Sequence, residues 1–479
     1  MEKKIHRCKA ERGEFENGGS RLSGMRLSFH SGGMVRRFFR FLGLPLVPAL
    51  ALLLAVTWAA VNIAFWAGQS EGERLVRNRM AQLKAQGLPV SFQALAERYH
   101  DPGLPIEENA APLLLKAFDK LDLEEDEHRH DLRDLAAWVN EPRGENGLPF
   151  AEGDLELVAT LLQRNADALA LAEEAGRFAY SRFPIDFTDG HNTSAPHMDP
   201  FRQVFDLLAL DVGRLVQTGR MEEAAERLEK VFLLAGLLEE DPFLSSLLTR
   251  LWGQSRAVRA IEKALVVGRF SDEQLLRFDS LAARASGLSP TPALMGEIPV
   301  IHSRSKALHA EGKPAWLGEG VLSVIMRTLV ESGIYYWDHL FAIDAHRDAI
   351  ALDGDIHAQM LVMQHASEGV FLPLPFSLSE RMLSRTERIL LSAATGQAAL
   401  RMSRIAMAAE RHRLRYGDLP EDLVELVPGF LPEIPADPWG GEAFSVTRDA
   451  EWVVISSEII VGRDPGPLSF RIPIEGGNR

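Results

Sequence analysis

The chain has 479 residues, of which 46% are hydrophobic and 25% charged, and its formal net charge is −15 at pH 7. This length allows two or three domains of about 150 residues each, and the composition is typical of a globular protein with a buried core. The acidic balance argues against a nucleic-acid-binding protein, because contacts to phosphates need a basic surface. The single cysteine, Cys8, leaves no disulfide, thiolate metal site or cysteine nucleophile for the rest of the chain.

Residues 1–40 differ from the rest in charge, with ten Lys or Arg against four Glu. They are polar and rich in glycine, so we expect a disordered basic head. Met25 and Met34 are alternatives to Met1 as the start of the native protein, because the basic residues followed by apolar residues after Met34 are typical of the beginning of a membrane protein.

Residues 41–68 contain no charged residue. A membrane-spanning helix needs about 20 apolar residues, so this run predicts a transmembrane helix that contacts the lipid bilayer. Three arginines flank it before and two glutamates are the first charges after it, which puts the head in the cytoplasm and the rest outside. A cleaved signal peptide and a buried core helix are the alternatives, but the run is longer than a signal-peptide core and has no polar stripe.

Residues 69–378 predict an extracytoplasmic α-helical body of stacked helical hairpins. Four successive amphipathic segments fill residues 199–284, and we expect further helices at about 321–352 and 354–368. Four prolines in 286–320 predict a long connection instead. The residues predicted to end these helices are Gly219 and Gly268, and those predicted to begin them are Asp199, Asp241 and Ser271.

Residues 379–479 predict a long helix followed by a small α+β module. After the helix, Asp418 or Leu419 is the expected N-cap of a short helix. Asp437-Pro438-Trp439-Gly440 fits a type I turn, with Asp at the first position, Pro at the second and Gly at the fourth. Three apolar or alternating stretches then predict three short strands. The fold class is therefore mainly α, with one N-terminal transmembrane helix and a small C-terminal α+β module.

The tail resembles the globular half of the major pseudopilin of type II secretion systems over about 65 residues, 398–462. The matching residues are Tyr416, Gly417, Pro420, Leu423, Leu426, Pro432, Pro435, Asp437, Pro438, Trp439, Gly440 and Phe444. The chain departs from that family in lacking its processing site, the glutamate of its membrane helix and its calcium loop. The resemblance therefore implies a structural turn or a docking module rather than filament assembly. The same tail pattern also resembles uncharacterised membrane-anchored bacterial proteins.

Two stretches carry residues able to do chemistry. In 335–365, His339, His346, Asp338 and Asp344 are metal candidates, but two histidines seven residues apart on one helix lie about 10 Å apart and cannot share one zinc ion. In 183–201, the candidates for a catalytic or binding loop are Asp186, Asp189, His191, Ser194, His197 and Asp199. Polar faces on packed helices explain the stretch 335–365 without a ligand.

The sequence thus favours a bitopic scaffold or interaction protein of a bacterial inner membrane, with an envelope protein as partner of the C-terminal module. We expect no cofactor. A metal- or carboxylate-dependent hydrolase and an accessory component of a secretion apparatus are the alternatives.

Overall fold

The structure, a computed structural model, describes residues 46–100, 103, 105–123, 126–141, 148–287, 289–312, 320–369, 378–460 and 467–474. The chain forms two compact units, Met1–Ala67 and Gly68–Arg479. The predicted basic head lies outside the described residues.

The described residues are mainly helical, as the sequence predicts, with one small antiparallel sheet. Their α-helices are α1 Leu46–Ala85, α2 Phe92–His100, α3 Ala111–Phe118, α4 Asp126–Ala136, α5 Asp154–Arg164, α6 Ala166–Ala175, α7 Met198–Gln217, α8 Met221–Gly236, α9 Leu244–Val267, α10 Asp272–Ser286, α11 Thr291–Glu311, α12 Val321–Glu331, α13 Ile334–Ile350, α14 Ile356–Glu368 and α15 Leu378–Tyr416. Short 3₁₀ turns lie at Ile106–Glu108, Ala137–Val139, Phe187–Asn192 and Leu423–Leu426. The strands are β1 Ser445–Arg448, β2 Trp452–Ile460 and β3 Pro467–Pro473.

The described part of the first unit is the beginning of α1. Apart from the half-buried Phe65, its large apolar side chains from Leu50 to Trp66 are exposed. From Leu50 onward, α1 is long and apolar enough to cross a membrane.

The predicted helices of 199–284 are confirmed as α7 to α10, and the first three of these pack against one another. Ser271 is confirmed as an N-cap, with a capping box to Gln274. The other two predicted N-caps are wrong. Asp199 lies inside the first turn of α7, whereas Asp241 is buried before α9, which begins three residues later at Leu244.

The predicted long connection over 286–320 is wrong, because α11 occupies Thr291–Glu311. Pro292 lies in the first helical turn, where its missing N–H costs nothing. Pro299 is inside the helix and removes one backbone hydrogen bond. The buried neighbours Leu294, Ile298 and Ile301 explain why the helix persists, since their packing outweighs a local preference.

The predicted single helix over 321–352 is also wrong. It is two helices, α12 and α13, which meet at Ser332 and Gly333. Gly333 adopts φ +79°, a left-handed conformation that interrupts a right-handed helix and that glycine adopts at little cost.

The C-terminal module packs its sheet, in the order β1-β2-β3, against α9 and the long helix α15. The Arg413 guanidinium donates to the Pro473 carbonyl at 2.6 Å and pairs with Glu410. On the other side, Glu262 accepts from the Arg471 backbone N–H at 2.9 Å. Ionic groups of α9 and α15 therefore hold the edge strand β3 through its backbone.

The short helix of the tail is a 3₁₀ turn that begins later than predicted. Its N-cap is Asp422, whose carboxylate accepts from the Val424 N–H at 3.0 Å while Glu425 accepts from the Asp422 N–H. Neither Asp418 nor Leu419 has that role, because the capping box with Glu425 needs an acceptor three residues before it.

Candidate membrane-facing surface

The two aspartates predicted as metal candidates interact with different residues. Asp338 is buried and accepts hydrogen bonds from the Ser379 N–H at 3.0 Å and hydroxyl at 2.5 Å. Asp344 forms ion pairs with Arg79 and Arg347. Each carboxylate is thus engaged at a helix–helix contact.

The two histidines predicted with them are buried and separate. The His339 ring lies against the ring of His302, with 3.4 Å between Nε2 and Nδ1. His346 lies between the Ala342 carbonyl, at 2.8 Å from Nδ1, and the Thr386 hydroxyl, at 3.2 Å from Nε2. Burial lowers the pKa of His339 to about 3 and that of His346 to about 4, so both are neutral at pH 7.

Among the described residues, no group of three or more His, Cys, Asp or Glu side chains is placed to hold a metal ion. The four predicted candidates are therefore not brought together.

The stretch 183–201 divides between the interior and the surface. His197 is buried, stacks on Phe183 with 3.8 Å between ring centroids, and lies 3.1 Å from the Asp241 carboxylate. That carboxylate also accepts from the Ser246 hydroxyl.

The other predicted residues of this stretch lie nearer the surface. Asp186 accepts from the Thr188 N–H, and hydrogen bonding to the Thr188 side chain, together with this backbone bond, lowers the pKa of its carboxyl group. Asp199 pairs with Arg202, and His191 contacts the Ser303 hydroxyl. Ser194 and Asp189 are exposed.

The tail turn is closed one residue later than a type I turn. The Gly441 N–H donates to the Asp437 carbonyl at 2.8 Å, and Gly441 adopts φ +77°. The buried Asp437 carboxylate accepts from the Trp439 N–H at 3.0 Å and the Ser457 hydroxyl at 2.7 Å. Pro438 is buried and Gly440 is exposed, so only part of this turn is available to a partner.

A different surface lies beside Gly68, the residue at which the uncharged run ends. An added Cβ on Gly68 would lie 2.6 Å from the Ser332 carbonyl oxygen, and one on Gly72 would lie 2.5 Å from the Tyr336 ring. One helical turn separates Gly68 from Gly72, as in the Gly-x-x-x-Gly pattern that lets helices approach closely. Two turns further along, Arg79 meets Asp344. Residues 68–85 and α13 therefore run side by side in the same direction.

Helix α12 ends where this contact begins. Its Val330 carbonyl accepts a hydrogen bond from the Gln69 side chain at 3.4 Å. The buried side chains of Met326 and Val330 pack α12 against Leu308 and Tyr335. Its other face is apolar and exposed. The exposed fractions are 77% for Val321, 48% for Leu322, 62% for Val324 and 41% for Ile325.

Four exposed aliphatic side chains in two helical turns are unusual on a water-facing surface. Trp337, on the first turn of α13, is also 55% exposed. An amphipathic helix with exposed aliphatic residues suits the boundary between lipid headgroups and acyl chains, and exposed tryptophan is enriched at the same depth. Because the sequence predicts a single helix over 321–352, it does not reveal this surface. Two features of the sequence nevertheless indicate it. One is the pair of glycines one turn apart in Gly-Gln-Ser-Glu-Gly at 68–72, and the other is the apolar start of α12.

Comparison of the chain with protein-family models, curated proteins and solved structures found no match.

Proposed function

We propose that this chain is a single-pass protein of a bacterial inner membrane, anchored through residues 41–68, with residues 69–479 on the extracytoplasmic side. The observation that carries the proposal is the exposure of the apolar side chains of α1 from Leu50 to Trp66. Exposing so large a continuous apolar surface to water is costly, at roughly 25 cal/mol per Å². A lipid bilayer removes that cost.

The body acts as a helical scaffold of stacked hairpins that presents the C-terminal module to an envelope protein. In support, the charged side chains predicted to do chemistry are used in contacts between helices, as at Asp338–Ser379 and Asp344–Arg79. The pseudopilin-like tail, held on α9 and α15, is the element offered to the partner. A secretion-apparatus component is a partner consistent with that resemblance.

The body lies close to the bilayer, with α12 in the interface. The support comes from position and composition together. Gly68 ends the uncharged run and contacts Ser332, and the four exposed aliphatic residues precede that contact by seven to eleven positions along the chain. A bilayer is the occupant that accounts for both features.

Topology is tested by labelling the full chain in bacterial cells with a membrane-impermeant maleimide. The native Cys8 is expected to react only after the inner membrane is disrupted. In a Cys8→Ser background, Ser280→Cys on the exposed face of α10 is expected to react once the outer barrier alone is opened. The reverse pattern would overturn the orientation. Release of the unlabelled chain from membranes by alkaline carbonate would overturn the anchor.

A further inference from the structure

The two edges of the C-terminal sheet differ in how their backbone groups are satisfied. On the β3 edge, side chains of α9 and α15 bond to the outward-facing groups. On α9, Glu262 accepts from the Arg471 N–H at 2.9 Å, and Arg259 donates to the Ser469 carbonyl at 3.2 Å. These bonds leave the β3 edge closed to a further strand.

The opposite edge is β1, which pairs with β2 on one side only. The Asp449 N–H donates to the Trp452 carbonyl at 3.0 Å, so residue 449 faces β2. Because the backbone groups of an antiparallel strand point alternately to its two sides, residues 445 and 447 also face β2, and Val446 and Arg448 face outward. Among the residues that the structure describes, none hydrogen-bonds to the outward N–H and C=O groups of Val446 and Arg448.

All four residues of β1 are exposed. Val446 lies on the same face of the sheet as Ile455, its partner on β2. Ile455 is fully buried, whereas Val446 is 41% exposed, because no strand covers its outer side. Open strand edges are places where another strand adds, and proteins usually cover them or place charges along them. The β3 edge is covered, but the β1 edge carries only the charge of Arg448.

We propose that β1 pairs with β1 of a second copy of the chain, antiparallel and about a two-fold axis at Thr447. In this register Val446 of each copy lies opposite Arg448 of the other, and the outward groups of both residues form four hydrogen bonds. A pairing centred on Val446 would form only two within β1. A pairing centred on Arg448 would place two like charges directly opposite each other, which is destabilising.

The side chains of β1 favour a second copy as the partner. Thr447 lies opposite its own copy, and cross-strand threonine pairs stabilise antiparallel strands. The aliphatic stem of Arg448 covers Val446 of the other copy while the guanidinium stays in water. The inference rests on the proposed membrane anchor in one respect. A pairing of so few hydrogen bonds needs a high local concentration, which copies held in one bilayer supply.

Cysteine cross-linking tests the register in membranes of bacteria that express the full chain in a Cys8→Ser background. Opposite residues at a non-hydrogen-bonded position have Cα atoms about 4.5 Å apart, a distance that a disulfide spans. We therefore expect Thr447→Cys to form a disulfide-linked dimer under mild oxidation. Ser445→Cys is the control. It lies on the same face and is also exposed, but its own copy is displaced by four residues, about 13 Å, along the strands.

Absence of a dimer in Thr447→Cys, or equal amounts of dimer at the two positions, would overturn the proposal. Cross-linking of Thr447→Cys only to a different protein would also overturn it and would assign the edge to that protein. Alkaline carbonate extraction of the same membranes tests the anchor separately. If the chain is released, the cross-linking is repeated with purified full chain at increasing concentration, and absence of the dimer there also overturns the pairing.

A backbone variant tests the hydrogen bonds. Val446→Pro removes one outward N–H and leaves those that face β2, and proline is tolerated at such positions of edge strands. In the Thr447→Cys chain it is expected to lower the amount of dimer by about tenfold or more, since each dimer loses two hydrogen bonds. Val446→Thr, which keeps the N–H, is the control. Undiminished dimer in folded Val446→Pro would overturn the pairing. If Val446→Pro does not fold, the comparison of Thr447→Cys with Ser445→Cys decides.

Discussion

A Cβ atom on Gly72 would lie 2.5 Å from Cδ2 and 2.7 Å from Cβ of Tyr336. Both distances are shorter than contacts between non-bonded carbon atoms. The obstacle is the base of the tyrosine side chain, which cannot swing away. Gly72 therefore permits the close approach between the residues that follow the uncharged run and helix α13.

We expect Gly72→Ala to destabilise residues 68–479 by about 1–3 kcal/mol, the usual cost of overpacking a tight contact. Thermal or denaturant unfolding of the full chain in detergent measures the loss. Gly153→Ala is the control, because a Cβ there meets no atom within 4 Å and the backbone is in the right-handed helical region.

The double variant Gly72→Ala/Tyr336→Ala separates a clash from a general helix effect. Tyr336→Ala removes the close contacts with Cδ2 and Cγ but keeps the one with Cβ, so the glycine substitution is expected to cost less, though not nothing, in the Tyr336→Ala background. A cost that is the same in both backgrounds would contradict the steric explanation.

The proposed interfacial position of α12 predicts depth-dependent quenching. With an environment-sensitive fluorophore on Val324→Cys, in a Cys8→Ser background in lipid nanodiscs, we expect a blue-shifted emission and quenching by spin-labelled lipids. Leu276→Cys is the matched control, as Leu276 is also aliphatic and 45% exposed but lies on α10.

Two results would contradict the lipid assignment. Equal quenching at the two positions would show that α12 has no special depth. Efficient cross-linking of Val324→Cys to itself, with no lipid quenching, would assign the exposed face to a second copy of the chain.

The buried histidines predict acid sensitivity. Burial, and for His339 also the neighbouring His302, lowers both pKa values below the unfolded value of about 6.5. The unfolded state thus takes up protons first, so stability is full above pH 6.5 and falls as the pH falls toward 4. Linkage gives a loss of about 2 kcal/mol per histidine at pH 5.

Unfolding free energies of His346→Gln at pH 7.5 and 5 test this sensitivity. Its loss between the two pH values is expected to be smaller than that of the unmodified chain by about 2 kcal/mol. His365→Gln, at an exposed position of α14, is the control. An unaltered pH dependence in His346→Gln would show that this ring is not the titrating group.

In the tail turn, we expect substitution of Asp437 to lower the free energy of unfolding more than substitution of its exposed neighbours does. Asp437→Ala leaves the Trp439 N–H and the Ser457 hydroxyl without their acceptor, a loss of about 1–3 kcal/mol for buried groups. Asp437→Asn keeps one acceptor oxygen and is expected to cost less. Glu433→Ala, on the exposed part of the same segment, is the control.

The same variants bear on the docking role. Trp439 is half-buried and packs near His357, with 5.3 Å between ring centroids. Loss of partner capture by Trp439→Ala at unchanged unfolding free energy would support docking through the turn. Loss of stability alone would favour a purely structural cap.

The sequence by itself determined the features that depend on neighbours along the chain. The spacing of apolar residues predicted α7 to α10 and α15, and the alternation and turn residues of the tail predicted its three strands. The uncharged run 41–68 similarly sets the apolar character of α1. These features follow from helix and strand periods, hydrophobic burial and turn chemistry, all of which act over a few residues.

Tertiary structure decided what distant residues do for one another. Pro299 remains inside a helix because buried neighbours support it, and His339 meets His302 rather than a metal-binding carboxylate. Arg250 is buried because residues of α9, α10, α14 and α15 surround it. Such outcomes depend on which side chains a fold brings into contact across tens or hundreds of residues, and burial then changes their charge and hydrogen bonding in ways that no local pattern encodes.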